Sequence, residues 1–363
     1  MGWRCGIVGL PNAGKTTIFN ALTAAQAEVA AYPFCTISPN EGVVPVPDPR
    51  LTQLGQLLKP ERLTPTTINF MDVAGLISGA SKGEGLGNQF LGQIRETDLI
   101  VHVVRCFADG RSSHPLGGLN PVRDVEVVET ELMLADLEIL ERHRVKLEKR
   151  RKGGDKQADA GLNLVARLAE GLNQGRWARD QGLSPGDLEL LSEVPLLTQK
   201  PYIFVANVSE AEFQGGPQLA ALKELGHQRR APVVPILGDL EAELLDLSPE
   251  EQKEFLQSLG LAEPGINRLI EESYRLLGLV TFYTIVGPEV RAWTVPTGTP
   301  APRAAGQVHS DMEKGFIRAE VMQFADLARL GSAAKIKEAG LLVVEGRDHV
   351  VKDGEILLFR FQS

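Results

Sequence analysis

Gly9-Leu10-Pro11-Asn12-Ala13-Gly14-Lys15-Thr16 is the stretch whose reading decides the fold. It is a complete phosphate-loop pattern, two glycines with four residues between them, followed by Lys and Thr. The glycines let the backbone wrap closely around phosphates, and successive N–H groups form an anion nest at a helix N-terminus. The context agrees: the apolar run Cys5 to Val8 reads as a strand before it, and Thr16 to Thr23 as a helix after it. In such a loop Lys15 supplies a fixed cation to the β- and γ-phosphates of a nucleoside triphosphate, and the Thr16 hydroxyl can ligate Mg²⁺. Asn12, Ala13, Gly14, Lys15, Thr16 and Thr17 are therefore the expected phosphate-binding set. Neither the base nor the purpose of the nucleotide follows from the loop alone.

Outward from the loop, short apolar runs alternate with helical stretches. Ile68 to Met71, Leu99 to Val104, Tyr202 to Ala206 and Val233 to Leu237 read as further strands, which predicts a mainly parallel sheet with helices on its faces. Ligands of such folds sit at the carboxyl edge. Between residues 104 and 202 lies a long helix-rich interval. Val125, Val128, Leu132, Ala135 and Ile139 are spaced three and four apart, as in a coiled-coil seam. Gly153-Gly154-Asp155 breaks the pattern, and Leu162, Val165, Leu168 and Leu172 give a second apolar stripe. This predicts an antiparallel helical arm inserted into the nucleotide domain.

From Leu279 the period changes to two. Phe282, Thr284 and Val286, then Val290 to Val295, read as strands around Gly287-Pro288. Pro302 to Val308 and Phe324 to Leu330 read as short helices. Asp353-Gly354 signals a hairpin turn into a terminal strand, Glu355 to Phe361. The expected class is α/β: a P-loop nucleotide-binding domain over 1–122 and 197–278, the helical arm over 123–196, and a small α+β, β-grasp-like domain over 279–363.

Composition bounds the partners. The chain has 363 residues, 43% apolar and 23% charged, the profile of ordinary soluble globular protein. A formal net charge of −9 argues against coating nucleic acid by bulk electrostatics, and no DNA partner is expected, although a local basic patch could touch RNA. Cys5, Cys35 and Cys106 lie far apart with no Cys-x-x-Cys, so neither zinc nor a disulfide framework is indicated. No leader pattern opens the sequence and no apolar run reaches membrane-spanning length, which makes the cytoplasm the expected compartment.

Further residues extend the site. Asp72-Val73-Ala74-Gly75 follows a strand at the right distance after a P-loop. Asp72 can hold Mg²⁺ through water, and the Gly75 N–H can sense a γ-phosphate. Thr36, lying between these motifs, is the second hydroxyl expected on Mg²⁺, on a loop ordered by the γ-phosphate. The glycine-rich run from Leu76 to Gln89 reads as a switch. Phe107, just past a strand end, can stack on the base. Asn12 is the residue type that could hold K⁺ as a second ion. The run Arg142 to Lys152 carries dense positive charge near the arm tip and is the expected RNA contact. The six histidines are scattered, His102 alternates with apolar neighbours inside a strand, and no histidine is assigned to catalysis.

Gly75-Leu76-Ile77 followed by Gly79-Ala80-Ser81 and Gly83-Glu84-Gly85-Leu86-Gly87 resembles the second switch of the Obg-like branch of P-loop GTPases. Asn207-Val208-Ser209-Glu210, standing where guanine-specific members carry Asn-Lys-x-Asp, is similar to the YchF family of Obg-like ATPases. The helical insert and a TGS-like stretch, Thr281 to Gln362, agree in order. The resemblance implies ATP bound in preference to GTP, Mg²⁺-dependent hydrolysis, and association with ribosomes or ribosomal RNA through the arm and the TGS-like domain. It makes Lys15, Asp72 and Gly75 the catalytic set, with Phe107, Asn207, Val208 and Glu210 around the base. Leu76 replaces the Gln with which many relatives orient water, which implies slow intrinsic turnover. One departure stands out: Ile236-Leu237-Gly238-Asp239 replaces the usual Ser-Ala-Lys of the base loop. A GTP-specific translational GTPase, a nucleotide-binding adaptor and a phosphotransferase are the competing classes, the last lacking any second substrate constellation.

Overall fold

The computed structural model describes residues 2–24, 40–73, 86–108, 114–155, 157–245 and 247–362. The chain forms two compact units, Met1–Gly42 with Asn69–Leu269, and Val43–Ile68 with Ile270–Ser363. It opens with β1 (Arg4–Val8), the phosphate loop and α1 (Lys15–Ala24). Next come β2 (Glu41–Pro45), α2 (Pro49–Leu58), β3 (Arg62–Thr64), β4 (Thr67–Asp72), α3 (Leu86–Arg95) and β5 (Leu99–Arg105). The helices α4 (Pro121–Lys152), α5 (Ala158–Asn173) and α6 (Pro185–Leu190) precede β6 (Tyr202–Asn207). Then follow α7 (Glu210–Phe213), α8 (Pro217–Gln228), β7 (Val233–Ile236), α9 (Gly238–Leu244), α10 (Pro249–Ser258) and α11 (Gly265–Leu276).

The first sheet has the order β2-β4-β1-β5-β6-β7. β1 pairs in parallel with both β4 and β5, and β5, β6 and β7 continue in parallel. Every residue of β5 and β6 is buried, as befits near-continuous apolar strands covered on both faces. Strand order reverses at β1, so the loop leaving its carboxyl end lies at a switch point, where open α/β sheets bind ligands.

The second unit adds β8 (Leu279–Val286), β9 (Glu289–Pro296), β10 (Phe316–Gln323), β11 (Val343–Glu345) and β12 (Glu355–Phe361). Their sheet runs β11-β10-β12-β8-β9-β3. β8 and β9 form an antiparallel hairpin through Gly287, whose φ of +58° suits glycine. β12 lies parallel to β8 and antiparallel to β10. The helix Ala301–Val308 buries Ala301, Ala304 and Ala305 against Phe282 and Phe359. Residues 43–68, expected within the nucleotide-binding domain, belong instead to the second unit. β3 pairs with β9, and Leu51 and Leu54 of α2 share a core with Tyr283, Val290 and Ile356. A strand of three residues carries too little alternation to reveal its partner.

The stripe on the long insert helix also needs correction. Val125, Val128, Leu132 and Ala135 are fully buried in the core that holds Ile100, Val104 and Phe204, so the first half of α4 covers the sheet rather than forming a seam with α5. Only beyond it do Leu140 and Leu147 join Leu164, Val165, Leu168 and Leu172 of α5, with Leu191 and Val194, in a second core. Asn120 caps α4 by accepting from the Arg123 N–H, and Pro121 stands at its first turn, where a missing N–H costs nothing. Gly153 and Gly154 end it, the latter at φ +88°.

A buried carboxylate fixes α4 to the returning chain. Asp136 has no exposed surface and accepts from the Leu197 N–H (2.8 Å), the Thr198 N–H (2.7 Å) and the Thr198 hydroxyl (2.7 Å). Its removal strands two buried N–H groups. Asp136→Ala should lower the unfolding free energy of this unit by about 3 kcal/mol in urea titrations, whereas Thr198→Val, which loses the hydroxyl alone, should cost about 1 kcal/mol.

Candidate functional site

Two glycines give the phosphate loop its path. Gly9 has φ +152°, and a Cβ there would sit 2.4 Å from the Val103 carbonyl oxygen. Gly14 has φ +94°, and a Cβ there would sit 2.1 Å from Asn207 Nδ2. Each position thus excludes a side chain by conformation and by space. Asn12, exposed, takes the left-handed conformation at φ +62°, one that Asn tolerates better than most residues. The Ala13 N–H closes the turn on the Leu10 carbonyl at 3.3 Å.

Lys15 opens α1 but is only 8% exposed, and its Nζ donates to the Leu10 carbonyl at 2.9 Å, across the loop. Burial lowers its pKa, and the Asp72 carboxylate pulls the other way. Thr16 and Asp72, brought together from α1 and the end of β4, share a hydrogen bond in which the Thr16 hydroxyl donates to Oδ2 at 3.1 Å. A hydroxyl and a carboxylate side by side are hard oxygen donors, a set that fits Mg²⁺. Thr17, half-buried, follows on α1. Thr36 and Gly75 lie outside the described residues, as do residues 76–85.

The far end of the loop is built on Asn207. This last residue of β6 is 4% exposed and donates from Nδ2 to the Ala13 carbonyl at 3.1 Å. Its own carbonyl accepts from the Cys106 N–H at 2.8 Å, which ties the ends of β5 and β6 together. Gly238 faces it from α9, where a Cβ would stand 2.8 Å from Asn207 Oδ1. The atypical Leu237-Gly238 loop therefore presents bare backbone to the Asn207 amide. Val208 is buried in the core, and its N–H donates to the Ile236 carbonyl at 3.0 Å. Glu210 is exposed in the first turn of α7, whose N-terminus is capped by Ser209. Phe107 is half-buried just past β5; the Arg105 guanidinium lies 4.9 Å from its ring centroid, and Arg105 Nε donates to the Phe107 carbonyl at 3.0 Å.

One ionisable pair near the loop escaped the sequence reading. His114 Nε2 lies 2.7 Å from Asp124 Oδ2, and both residues line a small cavity with Leu10, Pro11 and Ala13. No spacing rule links a histidine in a turn to an acid in the next helix, so only the fold reveals the pair. His102, by contrast, is a core residue: it is 1% exposed, hydrogen-bonded to the Tyr202 hydroxyl, and burial pulls its pKa to about 3. Cys5 and Cys106 are buried, the Cys106 thiol being pushed up to about 12 by desolvation, and Cys35 lies outside the described residues.

Known proteins match this architecture along its whole length. A family model described as a 50S ribosome-binding GTPase matches residues 4–129. A second, named for the carboxyl-terminal domain of YchF-type GTPases and described as a protein of unknown function, matches residues 279–362. The Ribosome-binding ATPase YchF of Haemophilus influenzae is 50% identical over 361 residues, 99% of each chain. That of Bacillus subtilis is 45% identical over 364 residues, covering 99% of this chain and 100% of its own. The solved structure of the Schizosaccharomyces pombe YchF GTPase superposes with a TM-score of 0.90 at 33% identity, over 99% of this chain and 98% of that one. Matched at this identity over 99% of its length, and carrying the phosphate loop described above, the chain belongs to the YchF family of P-loop nucleotide hydrolases.

Proposed function

We propose that this chain is an ATP-binding and ATP-hydrolysing switch that works with the ribosome, and that it takes ATP in preference to GTP. The loop N–H groups and Lys15 would cradle the triphosphate, and Thr16 with Asp72 would hold Mg²⁺, which when bound neutralises charge on the transferring phosphoryl group. Thr36 and Gly75 complete the reading as residues that respond to the γ-phosphate, and Asn12 as a seat for K⁺. A helical arm within 123–196 and a TGS-like domain over 279–363, with residues 43–68 in the same unit as the latter, form part of the same proposal. Ribosome association rests on the names of the relatives and on the charge of the distal half of α4.

The observation that carries the base preference is Glu210, exposed where guanine-specific members carry Asp. Asn207 Nδ2 gives one N–H to the Ala13 carbonyl and keeps a second, while Oδ1 lies toward Gly238, so its amide offers both a donor and an acceptor and suits either base. Glu210 makes the difference. A carboxylate aimed at the ring edge would pair with guanine's imino and amino groups, but would meet a lone pair on adenine. The extra methylene of Glu210 and its exposure let it turn to solvent instead.

The basic run near the end of α4 is largely internally paired. Arg144 bonds Glu141 and Glu148, Arg150 bonds Asp155, and Arg142 lies 3.7 Å from Glu138. Lys146, Lys149 and Lys152 are exposed at i, i+3 and i+6, which aligns them along one face. That stripe is the surface we assign to ribosomal RNA.

Three outcomes follow. Lys15→Ala should weaken ATP binding roughly a hundredfold in calorimetry, since the phosphates lose their point charge; parent-like affinity would remove the phosphate-site assignment. Glu210→Asp should raise GTP affinity relative to ATP by about tenfold, and a parent that binds GTP tenfold more tightly than ATP would overturn the base reading. Reversing Lys146, Lys149 and Lys152 to Glu should reduce co-sedimentation with ribosomes, most strongly at low salt, while ATP affinity stays at the parent value; undiminished co-sedimentation would return the stripe to a solvated helix face.

A further inference from the structure

Helix α9 has only seven residues, too few to hold its own position. Yet its first residue, Gly238, is the one that abuts Asn207. Leu240 and Leu244 anchor the helix in the core, and α9 packs on α1, the helix that opens with Lys15. Glu241 sits one turn after Gly238, hence on the same side of α9. It is 2% exposed, and its Oε1 accepts from the Gly265 N–H, the first of α11, at 2.6 Å.

This arrangement is costly. Glu241 Oε2 is buried without a hydrogen-bond partner among the described residues. Desolvation pushes the carboxyl pKa up to about 7, against the pull of the Gly265 and Ile266 N–H groups and of the Arg268 guanidinium. A helix N-terminus is normally capped by its own Ser, Thr, Asp or Asn, and the residue before Gly265 is Pro264, which has no side-chain acceptor. The cap is supplied from α9 instead. The approach is close enough to demand glycine: a Cβ on residue 265 would stand 2.9 Å from Glu241 Oε1 and 3.2 Å from Ile236 Cγ1, at the end of β7. The bond therefore closes a ring running from β7 through the base loop and α9 to α11 and back to β7.

We propose that Glu241 is a positioning residue for base recognition, its bond to the Gly265 N–H holding Leu237-Gly238 against Asn207 and so setting the discrimination between adenine and guanine. The inference rests on the reading of the Asn207 end as the base site. Glu241 does not touch the nucleotide; it acts through the loop one turn before it. Withdrawing the acceptor should loosen the base contacts and leave the phosphate contacts untouched.

The test compares the full-length parent with Glu241→Gln, which keeps an acceptor oxygen, and Glu241→Met, which fills similar volume without one. Calorimetry with Mg²⁺ would measure ATP, GTP and inorganic triphosphate. Glu241→Met should weaken ATP about tenfold, narrow the ATP-to-GTP ratio, and leave inorganic triphosphate at the parent value, while Glu241→Gln stays within about threefold of the parent for all three. Equal losses for ATP and inorganic triphosphate would show a general packing defect and overturn the proposal. So would a Met variant with parent-like ATP affinity, or a Gln variant as impaired as Met. A parent that binds ATP no better than inorganic triphosphate would instead bring down the base-site reading itself, a result separable from the behaviour of the variants.

Discussion

The hydrogen bond from Asn207 Nδ2 to the Ala13 carbonyl joins the two ends of the candidate site. It crosses from the last residue of β6 to the middle of the phosphate loop, over a glycine whose missing side chain makes the crossing possible. A methyl group on Gly14 would lift the loop off β6, and the phosphate loop and the end of β6 would no longer share one frame. The amide nitrogen carries a second N–H, so this anchoring still leaves Asn207 a donor beside its Oδ1 acceptor.

Helix α4 depends on comparable polar fixtures. Three of its four buried acids meet a partner from another part of the first unit: Asp124 faces His114, Glu129 faces Arg229 at 3.2 Å, and Asp136 faces Leu197 and Thr198. A helix packed by Val and Leu alone could slide by a turn and bury a similar stripe. Unpaired carboxylates in the core would be expensive, so the alternative registers lose far more than they gain.

What could be read from sequence was what is local in sequence. The phosphate loop is contiguous, and Gly9, Gly14, Lys15 and Thr16 announce it by type and spacing. Five of the six strands of the first sheet were legible as short, mostly apolar runs, β2 at its edge being the exception, and Asp72 was legible because it closes one of them. The apolar stripe of α4 was visible, but a period of 3.6 says that a face is buried and not what buries it, so Val125 to Ala135 were assigned to the wrong neighbour. β3 was invisible because three residues make no pattern. His114 with Asp124, and Glu241 with Gly265, escaped for a different reason: in each pair the contact exists only because separate elements converge.

Helix α4 runs unbroken for 32 residues, about 48 Å at the usual rise of 1.5 Å per residue, with its two halves seated in different cores. In mechanical terms it is a beam clamped at one end. No Gly or Pro interrupts it after Pro121, so there is no hinge along its length to absorb a load. A push on the distal half must arrive at the clamped half as a small rotation, and interiors packed to crystal density have little slack to dissipate it. The side chains that would receive that rotation, Val125 to Ala135, share their core with Val8 and Leu10, at the root of the phosphate loop.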